Sequence, residues 1–400
     1  MFAEILIAIA LGVASGTFTG LTPGIHINLL SVMLVSVSPL FLEYTNPLVL
    51  AVFIISMSVT HSFIDSIPSI FLGAPESDTA LGVLPGHRML LQGHGLMAVK
   101  FTLIGSFGAI LLSVIFFPLF LPIVKYGYPL IESYIAYLLI TTVIFMILRD
   151  RKKFWAIFTF LSTGILGLIV LNTPNLSNPL FPMLSGLFGI STLIISINSK
   201  QNIPLQTCTD KTDIDKNITT KALVSGQFSG FLTAVLPGLG ASTAAIISMQ
   251  VTRNLGNGGF LILIGSINTV NFILSLTTLY LLDKARNGSI IAIQQLLGNT
   301  TLNSLIIYLG ASLVAGCLGV FVVIKLGKIF AEKITKLNYM KIVLAVISFI
   351  TVLVFILSGL TGFLILIVST ALGLIAPITQ ITRTHAMGCI LLPVIMFFLF

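Results

Sequence analysis

Asp65 is an acid set inside an apolar run, residues 47–72. An ionised carboxylate there costs about 3 kcal/mol on insertion scales, so it is expected to face a cavity, a partner or a coupling ion. His61 lies four residues earlier and shares a helix face with it. The two could form a proton site, or a pair that only ties helices together. Beyond them the chain reads Ala74-Pro75-Glu76-Ser77-Asp78-Thr79. Carboxylates and hydroxyls there, Ser77 and Asp78 above all, could ligate Na⁺ together with freed carbonyls. They could equally cap a solvated loop. Arg88 and Lys100 offer counter-charge to an anion or serve as topology anchors.

A second constellation occurs twice. The first copy is Ser15-Gly16-Thr17-Phe18-Thr19-Gly20-Leu21-Thr22-Pro23-Gly24, running on to His26 and Asn28. The second is Ser225-Gly226-Gln227-Phe228-Ser229-Gly230, then Leu236-Pro237-Gly238-Leu239-Gly240 with Ser242 and Thr243 behind it. Proline withholds a backbone donor and ends the incoming helix, and glycine permits the turn. The outgoing helix then offers free N–H groups and a positive dipole end to an anion. Gly20, Thr22, Pro23, Gly24, His26 and Asn28 are the candidate anion-binding residues of the first tip. Pro237, Gly238, Gly240, Ser242 and Thr243 are those of the second, with Asn271 from a neighbouring polar stripe, Asn268 to Thr278. The same small residues would also allow nothing more than close helix packing.

Such groups need helices in lipid to position them. The chain is 56% hydrophobic with 8% charged residues and a mean hydropathy of +1.11, whereas a soluble globule carries roughly 25% charge. An all-α polytopic protein of the cell membrane follows. Met1 to Ala14 lacks the basic start and cleavage site of a removable signal. Three scattered cysteines, Cys208, Cys317 and Cys389, suggest neither a disulfide framework nor a metal cluster. The net charge of +8 is distributed as membrane topology signals, not as a nucleic-acid surface.

Apolar segments fall at 2–22, 25–42, 47–72, 96–124, 128–148, 154–172 and 182–198. After a polar linker they resume at 222–236, 238–252, 259–282, 301–328, 339–358, 360–378 and 384–400. Residues 1–198 and 222–400 therefore form two repeats of seven segments, joined by a cytoplasmic linker, 199–221. Basic loops stay cytoplasmic. Threading puts both termini outside and leaves only Lys125, Lys284 and Arg286 of the 20 Lys and Arg on the outer side. An odd number of segments per half inverts one repeat relative to the other. The short segments flanking Pro237-Gly238 fit a hairpin that re-enters on one side.

These residues resemble the TctA family, the large membrane subunit of tripartite tricarboxylate transporters. The resemblance rests on the paired Pro-Gly signatures and on Ile67-Pro68-Ser69-Ile70-Phe71-Leu72-Gly73-Ala74-Pro75-Glu76-Ser77-Asp78-Thr79-Ala80-Leu81. Leu84-Pro85-Gly86-His87, Gly93 and the closing Arg383-Thr384-His385-Ala386-Met387-Gly388 continue it across nearly the whole chain. The length resembles a short archaeal-type branch, and Asp283-Lys284-Ala285-Arg286-Asn287-Gly288 replaces a second Pro-Gly-rich passage. The resemblance implies an ion-driven secondary transporter of small carboxylates that works with a small membrane subunit and an extracytoplasmic binding protein.

The expectation is therefore a carrier, not an enzyme, with no cofactor beyond Na⁺ or H⁺ as coupling ion. Its substrate is a small organic anion, most simply a di- or tricarboxylate, and Asp65, Ser77 and Asp78 serve ion coupling. No His-Glu-x-x-His or Gly-x-Ser-x-Gly motif marks a hydrolase. A carrier or flippase for an anionic lipid such as polyprenyl phosphate is the alternative, because helix N-termini bind phosphate as readily as carboxylate.

Overall fold

The computed structural model describes residues 2–22, 27–73, 83–131, 134–174, 176, 179–198, 204–209, 215–235, 241–252, 255–285, 287–334 and 339–399. All regular elements among them are helices. The first half holds α1 (Phe2–Leu21), α2 (Ile27–Leu42), α3 (Pro47–Ile64), α4 (Ser66–Leu72), α5 (Val83–Leu91), α6 (Gly95–Ile131), α7 (Ile135–Arg149) and α8 (Lys153–Leu171). It closes with α9 (Leu180–Leu184), a π-helical turn (Ser185–Ile190) and α10 (Ser191–Asn198). The second holds α11 (Lys216–Val235), α12 (Ala241–Thr252), α13 (Gly256–Leu282), α14 (Gly288–Leu297), α15 (Leu302–Ile334), α16 (Tyr339–Thr379), a 3₁₀ turn (Arg383–Met387) and α17 (Gly388–Leu399).

Local chemistry sets the helix ends. The Asn46 side chain accepts from the Val49 N–H, with Pro47 at the first helical position. Asn287 caps α14 the same way through Ile290. Gly73 ends α4 in the left-handed region, and its N–H reaches the Pro68 carbonyl. Gly359 (φ 62, ψ −160) breaks α16, so the expected pair 339–358 and 360–378 persists as two rods meeting at a glycine.

Among the described residues, seven stretches are long and apolar enough to cross a membrane: Phe2–Leu21, Pro47–Leu72, Gly95–Gly127, Lys153–Leu171, Gly256–Leu282, Leu302–Ile334 and Val343–Thr379. The fourteen segments read from sequence thus resolve into these and shorter apolar helices. The 12-residue α12 rises only about 18 Å, short of a crossing. Pro47–Leu72 and Gly256–Leu282 are the enclosed members, with 78% and 83% of their most apolar windows buried against 44% or less for the others. Helices α3 and α13 therefore form the centre. The outer ones present residues such as Phe2, Phe18, Phe321 and Ile356 outward, as lipid-facing helices do.

Glycines set the contacts, and the same contacts recur in both halves. On α1, a Cβ at Gly16 would meet the Met57 carbonyl and Thr60, and one at Gly20 the His61 carbonyl and Ile64, all on α3. On α11, Gly226 meets Leu263 and Ser266, and Gly230 meets Ile267 and Val270, all on α13. The four partner positions are shifted between halves by one common interval. The later helices exchange partners: Gly186 lies on Leu366 and Ser369 of α16, while Gly388 lies on Phe160 and Thr163 of α8. Gly373 meets the Leu187 carbonyl as Gly167 meets that of Cys389. In lipid, where no hydrophobic force draws helices together, such backbone approach is a main source of association.

Candidate functional site

Both polar signatures are, where described, packing surfaces. Gly20 is buried against α3. Thr19 Oγ1 lies 3.0 Å from His61 Nδ1. Thr22 donates to the Phe18 carbonyl at 2.9 Å, within its own helix. In the second copy the Ser229 and Ser248 hydroxyls bond each other and staple α11 to α12, and Gln227 donates to Ser113 of α6 at 2.9 Å. The tips themselves, with Pro23, Gly24, His26, Pro237, Gly238 and Gly240, lie outside the described residues. So do Ser77 and Asp78, and the side chains of Asn28, Ser242 and Thr243.

The descending ends of both signatures lead to equivalent positions on their partner helices. Gly20 sits on Ile64, next to Asp65, and Gly230 sits on Val270, next to Asn271. By that register Asp65 and Asn271 are counterparts, an acid in one half and a neutral amide in the other. Asn271 is half-buried, and its backbone carbonyl accepts from Ser275 at 2.6 Å. Asp65 is 4% exposed. It occupies the single turn between α3 and α4 because Pro68 has no N–H to offer the Ile64 carbonyl. The helical path still passes through it, with Asp65 N–H on the His61 carbonyl and Ser69 N–H on the Asp65 carbonyl.

Beside Asp65 is a cavity of about 20 Å³, which α6 and α13 complete with Thr102, Ser106, Gly265 and Asn268. That is room for about one water-sized species, too small for a carboxylate substrate. Sequence reasoning found Asp65 and Asn268 but missed Thr102 and Ser106. A hydroxyl in an apolar helix bonds its own turn so readily that only its neighbours reveal a second task.

Two further polar clusters lie at helix ends, one joining the halves and one holding the linker. Asp150 Oδ2 receives the Thr382 N–H at 3.1 Å and its hydroxyl at 3.2 Å, and His385 Nε2 at 3.0 Å. Burial by itself would raise the Asp150 carboxyl. The hydrogen bonds from Thr382, Lys152 and His385 outweigh it and hold it at about 2. Burial pushes the His385 imidazole down, against the pull of Asp150, so it sits neutral with Nε2–H donating. Arg383, lowered by burial to about 10, bonds the Thr192 hydroxyl. At the other cluster the linker folds back. Gln206 accepts from the Gly95 N–H at 2.8 Å and donates to the Leu90 carbonyl at 3.0 Å. Lys100, read from sequence as a counter-charge or a topology anchor, donates to the Thr209 carbonyl at 2.6 Å.

Known proteins place this arrangement. A family model described as the tripartite tricarboxylate transporter TctA family matches residues 6–388. A curated relative from Methanocaldococcus jannaschii, itself named only as an uncharacterized protein, is 29% identical over 406 residues, covering 98% of this chain and 99% of its own. No solved structure matches. With a family match over nearly its whole length, and an all-helical body built around two glycine-registered helix pairs, this membrane protein belongs to the TctA family of tripartite tricarboxylate transporters.

Proposed function

We propose that the chain is the translocating membrane subunit of a secondary transporter for a small organic anion, a di- or tricarboxylate, driven by Na⁺ or H⁺. Residues 1–198 and 222–400 act as inverted repeats about a cytoplasmic linker, with both termini outside. The two Pro-Gly tips hold the anion through backbone N–H groups and hydroxyls, and Asp65 answers to the coupling ion. Family membership supports the transport class. It also supports partners of the tripartite kind, a small membrane subunit and an extracytoplasmic binding protein. One observation carries the residue-level reading: both signature helices are locked by glycine, in the same register, onto the two enclosed helices that bear Asp65 and Asn271.

Proteoliposomes holding the purified chain are expected to accumulate labelled citrate or succinate under an imposed Na⁺ or pH gradient. Asp65→Asn is expected to abolish gradient-driven accumulation while leaving substrate exchange partly intact. Full accumulation by that variant removes Asp65 from the mechanism. Failure with every carboxylate, alongside transbilayer movement of polyprenyl phosphate, replaces the organic anion with the lipid.

A further inference from the structure

The cavity beside Asp65 has a donor and acceptor balance that identifies what it can hold. A hydroxyl carries one proton and two lone pairs. Five hydroxyls line the cavity, Ser69 among them. The other four each donate their proton to a backbone carbonyl: Ser62 to Val59 at 2.9 Å, Ser66 to Phe63 at 2.8 Å, Thr102 to Val99 at 2.8 Å and Ser106 to Gly265 at 3.2 Å. What those four leave toward the cavity is oxygen lone pairs. Asn268 can turn its carbonyl oxygen the same way, and Asp65 adds a carboxylate. No Lys, Arg or His is among the described residues lining it.

We propose that this cavity is a binding site for one small alkali cation, Na⁺ or Li⁺, ligated by Asp65 with the Ser62, Ser66, Thr102 and Ser106 hydroxyls and the Asn268 amide. The proposal rests on the carrier reading above and names its coupling ion. An all-oxygen set suits a hard cation, and an anion would meet a carboxylate with only the Asn268 amide and the Ser69 hydroxyl to donate to it. A proton would need Asp65 alone, so four neutral lone pairs converging on the same space favour a metal ion. One carboxylate balances one monovalent charge, whereas a divalent ion would leave a net charge stranded in the enclosed centre. Among the described residues no three His, Cys, Asp or Glu converge as a transition metal would require. The ligands come from α3, α4 and α6 on one side and α13 on the other, so the ion draws the two halves together. The counterpart of Asp65 is Asn271, and the charged site is therefore not duplicated.

The test is thermal unfolding of the purified full chain without organic anion, titrating NaCl against choline chloride at constant ionic strength. Na⁺ and Li⁺ are expected to raise the midpoint saturably, and K⁺ to do so only weakly. Asp65→Asn should lose the response. Thr102→Val, which keeps the shape and removes the lone pairs, should raise the half-saturating Na⁺ about tenfold with the ion-free midpoint nearly unchanged. If Asp65→Asn does not fold, ²²Na⁺ binding to wild type and Thr102→Val decides the matter. A midpoint indifferent to Na⁺, as for a cavity holding only water, overturns the site, as does an equal response to K⁺ or in Asp65→Asn. Carboxylate uptake driven by a pH gradient without Na⁺ would remove the cation site and leave the carrier. Saturable Na⁺ stabilisation without carboxylate uptake would remove the carrier and leave the site.

Discussion

Replacing Gly265 by alanine tests the helix crossing on which the central cavity depends. A Cβ there would stand 2.3 Å from the Thr102 carbonyl oxygen and 3.0 Å from Ser106 Oγ. The serine can rotate away, but the carbonyl is backbone and cannot. Ordinary contact begins near 3.5 Å, so α6 and α13 must separate by about 1 Å. Gly105 resists that shift from the facing helix, since its own Cβ would lie 2.1 Å from the Ile262 carbonyl. Overpacking of this kind costs about 1–3 kcal/mol. Against it stands a gain of about 1 kcal/mol from the better helix former. Gly310→Ala isolates the two effects, because nothing lies within 4 Å of a Cβ at that helical position. It takes the propensity gain with no clash. The expected order of thermal midpoints in detergent is Gly265→Ala below wild type and Gly310→Ala at or above it. The gap between the variants corresponds to about 1–3 kcal/mol. Because Ser106 bonds the Gly265 carbonyl, any Na⁺ response should weaken in the same variant. Equal midpoints for Gly265→Ala and Gly310→Ala would refute the close crossing.

Three other perturbations probe different parts of the molecule. Gly359→Ala meets no neighbour within 4 Å, yet its backbone conformation belongs almost only to glycine. It should lose about 1–3 kcal/mol through strain alone, read as a lower thermal midpoint. The Asp150–His385 junction makes stability fall with acid in two steps. His385 is held below its usual 6.5, so the stability of its neutral form is complete above 6.5 and lost as pH drops below it. Asp150, held at about 2, contributes stability that is complete above its usual 3.8 and lost as pH falls toward 2. His385→Gln should lessen the fall in the midpoint between pH 7 and 5 while the loss below pH 4 remains. Gln206→Ala removes two hydrogen bonds that hold the linker to the end of α5 and the start of α6, a loss of about 1–3 kcal/mol. Limited proteolysis within 204–209 should accelerate, and unchanged cleavage would mean the linker is held some other way.

Composition and hydropathy determined the class of this protein. A chain with 8% charge cannot cover a water-facing surface, so helices in lipid follow without any knowledge of their packing. The repeated Ser-Gly phrase also declared itself, as did the boundary between segments 339–358 and 360–378 and the cost of Asp65. Other features required the fold. Whether Gly20 binds an anion or receives a helix depends on what stands opposite it, and the structure puts the His61 carbonyl and Ile64 there. That Asp65 and Asn271 are counterparts emerged from backbone contacts, since the intervening apolar residues substitute freely for one another in lipid. Thr102 and Ser106 carry no sequence signal, because a hydroxyl in an apolar helix looks the same wherever it faces. Tertiary packing alone turns five hydroxyls and one carboxylate, from helices far apart in the chain, toward a single small volume.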